Sequence, residues 1–188
     1  MTIAQLGRPA TYEDVLAAPS TMIAELLGGM LHLSARPASR HTRAASRLGM
    51  ALGPFDGDPD GDDPGGWIIL DEPELRLGDT VVVPDLAGWR RERMPELPDA
   101  PSFTLVPDWV CEVASPATRR EDRLLKLPLY RRVGVPWVWI VDPLSETVDV
   151  HEGDGPRWIL AATAVGAGAV HLPPFDARAL DPGRWFAR

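Results

Sequence analysis

Along most of this chain the apolar positions fall in short runs of four to seven residues bounded by Gly, Pro or Asp, a pattern that favours strands over long helices. The exceptions are few. Thr11 followed by Asp14 makes a capping-box-like start, with Tyr12, Val15 and Leu16 on an apolar face and Pro19 as a stop, so a short helix is expected there. The runs 22–27 and 30–34 flank Gly28-Gly29, which tolerates the positive φ values of a tight hairpin turn. Ser39 is positioned to cap a helix reaching about residue 52, with Ala44, Ala45, Leu48, Ala51 and Leu52 on its apolar side. Residues 55–66, rich in Asp, Gly and Pro, read as an exposed loop.

Strands are predicted at 67–70, 74–77, 81–87, 109–114, 137–141, 147–151 and 158–162. Between the fourth and fifth, residues 115–133 carry Leu124, Leu125, Leu127, Leu129 and Tyr130 and predict a helix. Strand, helix, strand implies a crossover and a parallel pair. The expected fold is α/β, with a mixed central β-sheet flanked by helices. A length of 188 residues predicts a single domain spanning 1–188.

Composition narrows the function classes. The balance of 45% hydrophobic and 24% charged residues is that of a globular protein with a real core. No apolar run approaches a membrane span, and Met1 to Arg8 lacks the basic-then-apolar start of a secretory signal, so a cytoplasmic protein without membrane partners is expected. The single cysteine, Cys111, lies among apolar neighbours and reads as a buried strand position. A net charge of −8 argues against indiscriminate nucleic-acid binding but leaves room for a local basic patch. Arg40, Arg43 and Arg47 recur at helical spacing along one stripe, with His41 beside them. That face is either solvated or a phosphate contact. Lys126 is the only lysine among 19 cations. A compact ammonium is not freely exchanged for a planar guanidinium where it must fit beside a carboxylate or phosphate.

Two carboxylates sit in apolar surroundings: Asp85 in Val83-Pro84-Asp85, and Glu112 in Trp109-Val110-Cys111-Glu112-Val113-Ala114. An unpaired buried carboxylate costs several kcal/mol, so each must reach solvent, a cation or a metal. If their strands are neighbours, the pair could share a hard divalent ion such as Mg²⁺. A calcium loop at Asp56, Asp58, Asp60 and Gly61 is not supported, because the twelfth position is Trp67 rather than a glutamate. His32, His151 and His171 form no cluster in sequence, which leaves zinc without support.

A Pro-Asp at a strand end followed by a Glu-x-x strand and a helix resembles the PD-(D/E)XK nuclease superfamily. The usual lysine two residues after the glutamate is replaced here by Ala114, and Lys126 on the next helix is placed to substitute for it. More specifically, the chain resembles the Uma-type restriction-endonuclease family. The segments that carry the resemblance are Glu25-Leu26-Leu27-Gly28-Gly29, His41, Val83-Pro84-Asp85-Leu86-Ala87, Glu112-Val113-Ala114-Ser115-Pro116, and Asp122, Lys126 and Tyr130 leading into Gly134-Val135-Pro136-Trp137. The resemblance implies a restriction-endonuclease-like fold and Mg²⁺- or Mn²⁺-dependent hydrolysis of DNA. Asp85 and Glu112 would bind the metal, Lys126 would complete the catalytic set, and Glu25 would add an acidic group. A homodimer is expected, because cutting both strands of a duplex needs two sites or a repositioning step. The competing reading is a nuclease fold without activity, serving as a binding or interaction module.

Overall fold

The computed structural model describes residues 2–115 and 122–186. Its elements run β1 (Thr2–Ile3), α1 (Tyr12–Leu16), β2 (Met22–Leu27), β3 (Met30–Ala35), α2 (Ser39–Leu52), β4 (Trp67–Asp71), β5 (Leu75–Leu77), β6 (Thr80–Val82), β7 (Leu86–Arg90) and β8 (Trp109–Val113). A π-helical turn (Asp122–Lys126) then leads into α3 (Leu127–Val133), followed by β9 (Trp137–Asp142), β10 (Thr147–Asp154), β11 (Arg157–Val165) and α4 (Gly183–Phe186).

The strands form two sheets where one was expected. The first is antiparallel, in the order β1-β3-β2-β6-β5, and the second runs β11-β10-β9-β8-β7-β4. The division falls inside the predicted strand 81–87. Pro84 has no N–H to donate to a ladder, so the chain leaves β6, turns through Val83, Pro84 and Asp85, and begins β7 in the other sheet. Asp85 therefore lies in a bend ahead of a strand and not within one. The expected crossover is present: β8 and β9 pair in parallel, with Glu112 beside Ile140, while the other pairs of that sheet are antiparallel.

Alternation along β8 assigns its two faces. Trp109, Cys111 and Val113 pack in one core cluster with Ala44, Leu48 and Leu52 of α2, whereas Val110 packs in another with Leu129 and Tyr130 of α3. Phe175 anchors the first cluster. Its ring lies 4.7 to 5.5 Å, centroid to centroid, from Phe55, Trp67, Trp109 and Trp139. Phe55, expected in an exposed loop, is thus a core residue, and only the segment beyond it is largely exposed.

The local signals hold in several places. Asp14 accepts the Thr11 N–H at 2.8 Å, and Arg8 pairs with the same carboxylate, holding it below its usual range. Gly28 and Gly29 turn the hairpin at φ 58° and 75°. Helix α2 has the predicted extent, but its N-cap is Ala38 and Ser39 is its first residue. The predicted helix 115–133 falls partly on 116–121, outside the described residues. Its remainder is the π turn and α3. This offset turns Leu124 and Leu125, expected on the apolar face, toward solvent, at 59% and 39% exposure. Pro128 stands in the first turn of α3, where its missing N–H has no helical partner to lose. No helix among the described residues is long and apolar enough to cross a membrane.

Cys111 is buried, and burial, reinforced by the Asp85 and Glu112 carboxylates, pushes its thiol well above the ordinary range. Because the folded thiol keeps its proton when the unfolded one ionises, stability should decline as pH rises above about 8.5, the free-thiol value. The same burial makes the native protein resistant to thiol reagents. Ellman's reagent at pH 8 is expected to titrate one thiol per chain in urea and essentially none in buffer; rapid stoichiometric reaction of the folded protein would contradict this burial.

Candidate active site

Glu112 lies on the face of β8 that turns toward α3, and both of its carboxylate oxygens are engaged. Lys126 Nζ donates to Oε2 at 3.2 Å, and the Tyr130 hydroxyl donates to Oε1 at 2.5 Å. Lys126 and Tyr130 are four residues apart at the passage from π turn to α3, so the two donors reach the same carboxylate. Gly134 ends α3 in the left-handed conformation at φ 93°, and Val135 N–H returns to the Tyr130 carbonyl at 2.9 Å, which fixes the end of this helix against the sheet.

Glu25 arrives from the other sheet. In β2 the side chain of Leu26 packs with Leu31 and Val81, while Leu27 joins the cluster of Val110 and Tyr130. Alternation puts Glu25 on the Leu27 face. There its Oε1 accepts the Val83 N–H at 3.0 Å and pairs with Lys126 Nζ at 2.9 Å. Glu25, Glu112 and Lys126 are all buried, at 3%, 3% and 7% exposure. Two carboxylates thus share one ammonium in a site sealed from water, with Coulombic attraction offsetting the cost of desolvating all three.

Asp85 joins the other side of this group. Its Oδ2 accepts the Val113 N–H at 2.6 Å, which ties the bend to the residue after Glu112, and its Oδ1 meets His41 Nε2 at 2.6 Å. The β7–β8 register, Leu86 opposite Cys111 and Ala87 opposite Val110, brings Asp85 to the end of β8 where Glu112 stands. The bend is braced by Glu72, which holds a positive φ of 46° and donates its N–H to the Asp85 carbonyl at 3.0 Å. A non-glycine residue in that region is uncommon and persists where surrounding contacts hold it. Beside Asp85 lies a cavity of about 260 Å³ lined by Pro37, His41, Thr42, Asp71, Glu72 and Asp85 among others. Burial raises the Asp71 carboxyl above its ordinary range.

The structure thus brings together Asp85, Glu112, Lys126 and Glu25, with His41 joining through Asp85. The arginines expected alongside His41 diverge from it. At about 100° per residue, His41 and Arg43 lie about 160° apart around an ideal helix. Arg47 donates to the Arg184 carbonyl at 3.0 Å and so helps dock α4, while Arg40 and Arg43 are exposed. Tyr130 is the member of the site that sequence pattern reads only as core, since an aromatic at helical spacing serves either purpose. Its position four residues after the lone lysine is the signal that marks it.

As a test for a divalent ion, the donor set is carboxylate oxygen, the kind that Mg²⁺ prefers. Among the described residues no group of three or more His, Cys, Asp and Glu side chains is arranged to hold a metal. A Mg²⁺ site, however, often draws only one or two carboxylates from the protein and completes its shell with water and phosphate oxygens. Asp85 and Glu112 are the two carboxylates that the β7–β8 register brings to the end of β8.

No curated protein matches the chain. Among solved structures it is similar to a protein from Anabaena variabilis described as a putative nuclease belonging to DUF820, with a TM-score of 0.72 and 23% identity over 95% of this chain and 98% of that one. At that identity the likeness is one of fold, and it bears out the nuclease-like α/β architecture. The model of the Uma2 family, described as "Putative restriction endonuclease", matches residues 9–180. The match takes in both sheets apart from β1, together with every side chain of the site, and the chain belongs to the Uma2 family.

Proposed function

We propose that the protein is a metal-dependent endonuclease that hydrolyses DNA phosphodiester bonds. The observation that carries this reading is the convergence of carboxylates at the end of β8: Glu25 and Glu112 both meet Lys126, and Asp85 accepts the Val113 N–H beside them. Carboxylate oxygens gathered in one place are the donors a hard divalent cation takes. Asp85 and Glu112 would hold Mg²⁺ or Mn²⁺, which supplies Lewis acidity toward a phosphoryl oxygen and a more acidic water.

The remaining side chains have separable tasks. Lys126 supplies a fixed positive charge behind Glu112, whose field would offset the negative charge that builds on the phosphate. Glu25 keeps that ammonium in place, since Val83 N–H fixes the carboxylate from behind. His41 orients Asp85, and the cavity on its side offers the phosphodiester an approach that the sealed Lys126 side does not. Exposed Arg40 and Arg43 lie on another flank of α2, suited to backbone phosphates away from the reacting one. A symmetric homodimer would present two such sites to the two strands of a duplex. Light scattering at micromolar concentration is expected to return twice the chain mass, and a monomer mass would contradict it.

One observation favours the alternative of a nuclease fold without cleavage: Lys126 already satisfies both glutamates, so the group is closed as it stands. Metal titration with cleavage separates the two readings. Asp85→Asn is expected to weaken Mn²⁺ binding sharply in calorimetry with the fold intact, and equal affinity in both proteins would remove Asp85 from the site.

Lys126→Ala takes the ammonium from between two buried carboxylates and should cost about 3–5 kcal/mol of stability, so activity is compared at equal folded concentration. Cleavage under saturating Mg²⁺ is then expected to fall by about 10² or more, the scale for losing one electrostatic donor, with Lys126→Arg recovering only part. Equal rates for all three proteins would sink the role of Lys126.

A further inference from the structure

We infer that Tyr130 is a positioning residue for the reaction: its hydroxyl fixes the plane of the Glu112 carboxylate. This rests on the nuclease reading, because it gives a purpose to the orientation of Glu112. The phenol is fully buried, and its 2.5 Å bond to Oε1 complements the Lys126 bond to Oε2, so the carboxylate is held at both oxygens and cannot turn about its terminal torsion without losing a donor. Both donors come from one stretch of backbone, the passage from π turn to α3. A π-helical turn sets a residue out of α-helical register. Here it ends at Lys126, and the α-helix that carries Tyr130 begins at the next residue.

A core role alone would be filled equally well by phenylalanine. The hydroxyl adds nothing to apolar packing, and a phenol placed in a core needs a partner that the protein must provide. That partner is the one carboxylate of β8. Hydrogen-bond partners of metal-ligating carboxylates typically matter by 10–100-fold in affinity or activity when removed. The hydroxyl is bonded to Glu112 in the interior, so its effect should pass through that carboxylate.

Two measurements test this. The chain has only two tyrosines, Tyr12 and Tyr130, and Tyr12 donates to a different carboxylate, Glu74. With tyrosine labelled at Cζ, Glu112→Gln is expected to move the Tyr130 NMR resonance and leave that of Tyr12 in place, with no metal needed. A Tyr130 resonance indifferent to Glu112→Gln overturns the proposal even if Tyr130→Phe proves unstable. In the second arm, Tyr130→Phe at unchanged melting temperature should weaken Mn²⁺ binding and lower kcat by about 10–100-fold, with KM for DNA unchanged. Wild-type protein that binds no Mn²⁺ would overturn the nuclease reading and this role with it. Wild-type binding and turnover that Tyr130→Phe leaves unaltered would overturn the role of Tyr130 alone.

Discussion

The ammonium of Lys126, held between Glu25 at 2.9 Å and Glu112 at 3.2 Å, joins three parts of the chain at one buried point. Glu25 belongs to the antiparallel sheet, Glu112 to the mixed sheet, and Lys126 to the crossover between β8 and β9. Each carboxylate is buried by the hydrophobic packing of its own strand, and neither could stay charged there alone without a penalty of several kcal/mol. A single cation shared by both permits the two sheets to close on each other at this point. Removing the lysine takes the ammonium from two buried carboxylates at once, whereas removing either glutamate leaves the other beside it. The cluster is thus most sensitive at its one positive member.

The division of the strand at Pro84 serves the same end. Had residues 81–87 run on as one strand, Asp85 would have been committed to a ladder position in a single sheet. The proline ends the ladder of β6, and the bend that follows sets Asp85 at the junction, where it accepts the Val113 N–H and pairs with His41. A backbone N–H that would otherwise go unpaired at the end of β8 becomes the device that locates a side chain. Glu72, at its positive φ, braces the bend through the Asp85 carbonyl.

What is legible in the sequence, and what is not, follows from which physical signals are local. Asp85 and Glu112 stand out because a carboxylate amid apolar strand residues needs a partner wherever the strand lies. Lys126 stands out because a lone lysine among arginines marks a place where a guanidinium does not substitute. The hairpin at Gly28-Gly29, the capping by Asp14 and the extent of α2 follow from short-range chemistry. The second sheet is not legible, since the alternation of β6 and β7 is the same whether they share a sheet or part company. The destinations of His41, Arg43 and Arg47 are hidden for another reason. Spacing places residues around a helix, but only packing tells which flank meets the core, the C-terminal segment or solvent. Phe55 is missed because its neighbours are loop-forming, and its ring partner Phe175 lies far along the chain.

On the proposed reading, the two sides of the site answer different needs of a hydrolytic centre acting on a large polyanion. On the α3 side the charges are dry and fixed: Lys126 is bonded to both glutamates, and Tyr130 closes the remaining oxygen of Glu112. On the α2 side Asp85 borders an open cavity and is held by a histidine from the first turn of a helix. Preorganisation is most effective where water is excluded, because fixed donors there do not have to compete with solvent. A polymer substrate, by contrast, cannot enter a sealed pocket and needs an accessible carboxylate to approach. Placing the fixed charges behind Glu112 and the opening in front of Asp85 would meet both demands with one residue of β8 and one of the bend beside it. The boundary between the dry and the open half is the end of β8 itself.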